Sequence, residues 1–270
     1  MSFKSILVHA DPGPGCNRRV RVAMQMADWF DGAVTGLGAE ALGPVLASGF
    51  APIEGVVLEA AEEHIDNDLS AAKKHFHALS AGRENTRWIS KEDYPDRMLA
   101  IYARGADLIV ASRPERGEAA TCAARPAELV MDAGAPVLLT ANGDAPFRGE
   151  RVVVGWKDTR ESRRALADSL PFLMRAQSAV VVAVGADTGA QAGLNDVARR
   201  LARHGVEASI EIVAKTKASI AETLEDTATR HGADLIVIGA YGHSRLREWI
   251  LGGVTEDFIA SSSKFVLLSR

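Results

Sequence analysis

One phrase occurs twice in this chain. Arg104-Gly-Ala-Asp107-Leu-Ile-Val110 returns as His231-Gly-Ala-Asp234-Leu-Ile-Val237, and Pro136-Val-Leu-Leu-Thr140 returns as Phe265-Val-Leu-Leu-Ser269. Self-similarity over half of a 270-residue chain means a duplicated domain of about 135 residues. The duplication fixes the fold class, because each half alternates strand with helix. Apolar, β-branched runs such as Leu235–Ile238 suit strands covered on both faces of a parallel sheet. Strands alternating with helices form parallel α/β units with right-handed crossovers. Each half is therefore expected to hold a five-stranded parallel sheet with helices on both faces. The domains are placed at 1–145 and 150–270, with Asn142–Gly149 between them as a linker.

In the first half, strands are expected at 4–10, 33–39, 86–90, 107–111 and 136–140. Helices are expected from near Asn17, where it or a neighbour can cap, to about Phe30, and at 56–81, 93–104 and 124–133. The Gly/Pro-rich connection Leu42–Gly55 is longer than most loops. In the second half, strands are expected at 151–156, 178–184, 206–213, 234–239 and 265–269. Helices are expected at 160–175, 191–204, 219–231 and 254–261. The closing strands 136–140 and 265–269 are apolar, and pairing them within one chain would hide both edges.

With 31 basic and 35 acidic residues the net charge is −4, so nothing calls for nucleic acid or a membrane surface. No stretch approaches the ~18 apolar residues of a membrane span. The N-terminal MSFKSILVHAD reads as a strand without a signal peptide's apolar region. Cys16 and Cys122 are isolated thiols, and a reducing cytoplasm is the expected location.

Ligands in such folds sit at the strands' carboxyl ends, where the strand order reverses. There the second half reads Gly239-Ala-Tyr-Gly242, nine residues, then Gly252-Gly-Val-Thr255. Glycines past a buried strand let backbone approach a ligand closely. Gly252, Gly253 and Val254 lie at a helix start, where N–H groups and the dipole favour an anion. The spacing describes a candidate phosphate cradle, and turn glycines without a ligand are the plain alternative.

These residues resemble the nucleotide motif of the universal stress protein family, Gly-x2-Gly-x9-Gly followed by Ser or Thr. All three glycines match, whereas Gly253 stands at the Ser/Thr position. The likeness covers the whole chain, and the motif occurs once. It implies two tandem adenine-nucleotide-hydrolase-like, Rossmann-like domains pairing as an intramolecular pseudo-dimer, with homodimerisation of whole chains open. It also implies an adenine nucleotide in the second half: ATP with Mg, or AMP or ADP. Where the family has an aspartate on ribose or base, this chain has Lys157, with Asp158 one residue later. Val184 and Ile238 match adenine-flanking positions, with strand core as the alternative. His243 would offer its backbone N–H, and Arg245 and Arg247 would offer charge to phosphate. Thr255 ends the motif, and Trp249 and Ile250 are expected to pack the loop.

In the first half Asp11 keeps the acidic position, but Ser112, Glu115 and Ala123-Ala124 replace the glycines. Nucleotide is not expected there in the usual manner. His75 and His77, two apart on a helix, point to different sides and are not read as metal ligands. Cys16 near a helix start is read as an inert thiol, and Ser261–Ser263 as a polar helix end. No metal or catalytic set is assigned, so any ATP hydrolysis is expected to be slow. Three readings compete: a stress-response regulator binding adenine nucleotide, a stress protein acting through unknown protein partners or a first-domain pocket, and an adenylate-transferring enzyme. Fold likeness alone does not choose among them.

Overall fold

The computed structural model describes residues 2–13, 15–43, 55–113, 121–143, 146–185, 190–241 and 253–270. The chain divides into two compact α/β units, one spanning Phe3–Ala135 and the other built from Pro136–Arg270.

The first unit runs β1 (Ser5–His9), α1 (Cys16–Phe30), β2 (Ala33–Ala39), α2 (Gly55–Leu79), β3 (Thr86–Lys91), α3 (Pro95–Tyr102), β4 (Leu108–Ala111) and α4 (Pro126–Asp132). Its strands lie in the order β3-β2-β1-β4, all parallel. Ile6, Leu7 and Val8 pair with Leu108, Ile109 and Val110, and all six are buried. α1 starts from Gly15 without a side-chain cap, so Asn17 lies inside the helix rather than capping it. α4 starts at Pro126, whose ring presets the helical φ and whose missing N–H costs nothing in a first turn.

The second unit contains β5 (Val137–Leu139), β6 (Arg151–Gly155), α5 (Arg160–Asp168), α6 (Leu170–Leu173), β7 (Ser178–Val184), α7 (Ala190–Arg203), β8 (Ala208–Val213), α8 (Ile220–Arg230), β9 (Leu235–Gly239), α9 (Val254–Ser261) and β10 (Phe265–Ser269). The five strands after β5 are parallel, ordered β10-β9-β6-β7-β8. β5, read from sequence as closing the first half, groups here because it runs antiparallel to β10. Leu139 faces Val266 and Val137 faces Leu268, all fully buried. The helix expected over 160–175 is two helices. Ser169 interrupts it, its hydroxyl donating to the Leu166 carbonyl at 3.0 Å, and Pro171 restarts it within a new first turn. α8 opens with a full capping box, Ser219 and Glu222 each bonding the other's backbone N–H.

The repeated phrase has one physical role in both units. Asp107 Oδ2 accepts from the N–H groups of Lys4 and Ser5 at 2.8 and 2.9 Å, at the start of β1. Asp234 Oδ2 accepts from Arg148 and Gly149 at 2.7 and 3.0 Å, just before β6. Each aspartate pins the entry to its unit's first strand with charge-assisted bonds.

Candidate functional site

In the second unit β6 has β7 on one side and β9 on the other. The chain leaves β6 in one direction and returns on the opposite side, which makes the carboxyl ends of β6 and β9 the switch point. Gly155 ends β6. A Cβ there would lie 2.8 Å from Leu224 Cδ1 and 3.0 Å from Ile238 Cγ2, so bare backbone lets both apolar chains close over the strand end. Ile238 is buried, and Val184, at the end of β7, is half-buried opposite Val213.

Gly239 ends β9. A Cβ there would stand 2.5 Å from the Glu161 carbonyl carbon and 2.5 Å from Ser162 N. The first turn of α5 therefore rides directly on this strand end, and only glycine leaves room. Thr159 caps that turn by accepting from Ser162 N at 3.3 Å, while Lys157 N donates to Ser162 Oγ at 3.4 Å. Lys157, Asp158 and Gly239 are thus gathered around one helix start. The side chains of Lys157 and Asp158 are exposed, and Asp158 Oδ1 accepts from Arg163 Nη2 at 2.6 Å and Nε at 3.2 Å.

Past β9, Tyr241 takes a left-handed backbone, φ 55°, which is uncommon for a residue with a Cβ. Its N–H donates to Thr255 Oγ1 at 3.3 Å, and its hydroxyl donates to Glu256 Oε1 at 2.7 Å. These bonds hold the end of β9 beside the start of α9. Gly253 caps α9 in an extended conformation, with no described residue within 4 Å of where its Cβ would be. Val254 is half-buried and Thr255 is buried. The first-turn N–H groups of α9 have no partners within the helix, but Glu256 and Asp257 already place two carboxylates at that positive end. Gly242, His243, Arg245, Arg247, Trp249, Ile250 and Gly252 lie outside the described residues. The expected polar end at Ser261–Ser263 is tied to α8, where Glu225 accepts from Ser262 Oγ and from Ser263 N, the latter at 3.2 Å.

The matching crevice of the first unit is filled by the chain itself. Arg19, fully buried on α1, donates from Nε to the His9 carbonyl at 2.9 Å, from Nη1 to Ser112 Oγ at 2.5 Å, and from Nη2 to Asp11. Burial would raise the Asp11 carboxyl, but the Arg19 charge, His9 and their hydrogen bonds outweigh it and hold the group below the ordinary carboxylate range. Burial drives the His9 imidazole down to about 4, with Asp11 opposing in part. Burial also pushes the Cys16 thiol up, against the effect of its helix start. Asp11 is therefore committed to an internal ion pair. Ser112, standing where Gly239 stands in the second unit, serves Arg19 with its hydroxyl; Glu115 lies outside the described residues.

Two features were not read from the sequence. Arg19 looks like any surface arginine of an amphipathic helix, and only the fold turns it inward. The other is a group on α2 and after β2: Glu40, His64 and Asp68 each offer a ligand atom within 4.8 Å of the others. The His64–Asp68 spacing of four was legible, whereas Glu40 is distant in sequence. His75 and His77 are both exposed and belong to no such group among the described residues.

Residues 149–270 match the model of the universal stress protein family. Over almost the full length, the fold is similar to that of a universal stress protein from Archaeoglobus fulgidus DSM 4304. That protein is 14% identical, with 98% of this chain and 96% of that chain covered and a TM-score of 0.70. A functionally unknown protein from Pseudomonas aeruginosa PAO1 is 16% identical over 99% of this chain and 92% of its own, with a TM-score of 0.61. Both likenesses are of fold. No curated protein matches the chain in sequence. No helix among the described residues is long and apolar enough to cross a membrane.

Proposed function

We propose that the second unit, whose residues 149–270 match the universal stress protein family model, is a regulatory module binding an adenine nucleotide, ATP with Mg, at the carboxyl ends of β6, β7 and β9. The observation that carries this reading is the clamp at the cradle's two ends. Tyr241 N–H on Thr255 Oγ1 holds the end of β9 against the start of α9, with Gly239 and Gly253 on either side. Among the described residues nothing lies within 4 Å of where a Gly253 Cβ would be, which suits close approach of a phosphate to backbone. Lys157, exposed beside Gly239 through Ser162, would supply positive charge to that phosphate. Val184 and Ile238 would flank the base. The carboxylates of Glu256 and Asp257 work against a bare anion, and a nucleotide carrying Mg meets less repulsion there.

A second reading keeps the glycines for geometry and assigns the protein to contacts with protein partners. It is favoured by Gly239, whose bareness α5 packing already requires. Calorimetric titration of the full chain with Mg·ATP separates the two. Saturable binding is expected, and Gly253→Ser, restoring the hydroxyl at that position, should tighten it about tenfold, the worth of one hydrogen bond to a charged group. Absence of binding in both proteins would leave the second reading.

A further inference from the structure

The first unit holds a group of side chains that its buried Asp11–Arg19 network does not use. β2 ends at Ala39, and Glu40 follows with its backbone fixed on both sides. Glu40 N donates to the Lys91 carbonyl at 3.2 Å, and Ala41 N to the Thr121 carbonyl at 3.0 Å. The Glu40 side chain is only 5% exposed, and its Oε2 has no hydrogen-bond partner among the described residues. A buried carboxylate oxygen without a donor is costly unless a positive group meets it. α2 presents His64 and Asp68 one turn apart on one face, with Nε2 and Oδ2 3.7 Å from each other. The donor atoms of all three residues lie within 4.8 Å of one another.

We propose that Glu40, His64 and Asp68 form a binding site for a divalent transition metal, Zn²⁺ in the first place. One imidazole and two carboxylates suit Zn²⁺ better than the all-oxygen cations Mg²⁺ or Ca²⁺. The two carboxylate charges balance the ion, and the unpartnered Oε2 gains the positive partner it lacks. Bonds of about 2.0–2.2 Å require the donors to draw together, and the exposed His64 ring supplies that movement. Three protein donors leave a fourth position for water or another ligand. The site follows the carboxyl end of β2, the side on which α/β folds receive ligands.

The test uses the full chain, stripped with chelator and dialysed against ZnCl₂, with bound metal counted by mass spectrometry. Competition with a chromogenic chelator gives the affinity. One equivalent is expected, and Glu40→Gln and His64→Ala should each weaken it by about tenfold or more. His75→Ala/His77→Ala should leave it unchanged. His64 is exposed, so its variant keeps the fold, and circular dichroism checks Glu40→Gln. Replacing Zn²⁺ with Co²⁺ should give visible bands that His64→Ala removes. Zinc retained at full affinity in His64→Ala, zinc lost with the His75/His77 pair, or no stoichiometric zinc on folded wild-type protein would overturn the proposal.

Discussion

Arg19 decides what the first crevice can hold. Its three donor nitrogens serve His9, Asp11 and Ser112, so the residue that sequence places at a ribose-contacting position is buried and paired inside the unit. Removing one member of a buried pair strands the other charge. Arg19→Met is expected to cost about 3–5 kcal/mol in urea unfolding, and a loss below 1 kcal/mol would show the network to be unimportant. His9 sets a pH dependence. Its folded value of about 4 lies below the ordinary 6.5, so below pH 6.5 the unfolded state takes up the proton first. Stability from this group is complete above pH 6.5 and is lost as pH falls toward 4, by roughly 3 kcal/mol in all. Asp11, with its own value lowered, adds a loss only at still lower pH. Denaturant midpoints at pH 7 and pH 5 should differ accordingly, and His9→Gln should flatten the difference. The sequence made Asp11 visible as a site residue. It concealed the pairing, because the partner lies eight residues on in a helix whose inward turn is set by packing.

Element starts were read better than element interiors. Ser219-x2-Glu222 is a local signal, and the capping box forms as such a signal dictates. Ser219→Ala should lower stability by about 0.5–2 kcal/mol, checked by thermal melting. From sequence, Pro171 did not break the helix expected over 160–175, because whether a proline kinks a helix or restarts one depends on whether Ser169 can absorb the break. Gly239 shows the limit in the other direction. Its position in a glycine motif was legible, and its contact with the backbone of Glu161 and Ser162 was not, because that contact belongs to how α5 lies on β9. Gly239→Ala must push the α5 start outward and is expected to destabilise by about 1–3 kcal/mol. A neutral change in denaturant midpoint would mean that α5 yields easily.

At the scale of the whole molecule, duplication preserved the scaffold while the crevices diverged. Asp107 and Asp234 pin equivalent strand entries, so the repeated phrase has the same physical role in both halves. The repeat and the α/β class were therefore legible. The pairing of the two closing strands was legible too, because both are apolar and leave an edge to hide; that this pairing moves the unit boundary to Pro136 was not, since it depends on where β5 packs. β10 lies between β9 and β5, and Phe265 meets Phe147 edge-on with ring centroids 4.8 Å apart. Deleting 264–270 would bare two strand edges and open that core. An insoluble or aggregated product is expected in size-exclusion chromatography, and a monodisperse one would contradict this role for β10.

The central claim, a nucleotide held by the second unit, is tested most directly by denaturing freshly purified protein and chromatographing what it releases. A Gly242→Glu/Gly252→Glu double variant is treated in parallel. Close to one adenine nucleotide per chain is expected from the wild type, because Arg19 fills the first crevice, and none from the variant. Release of no nucleotide from the wild type, or of equal amounts from both proteins, would contradict it.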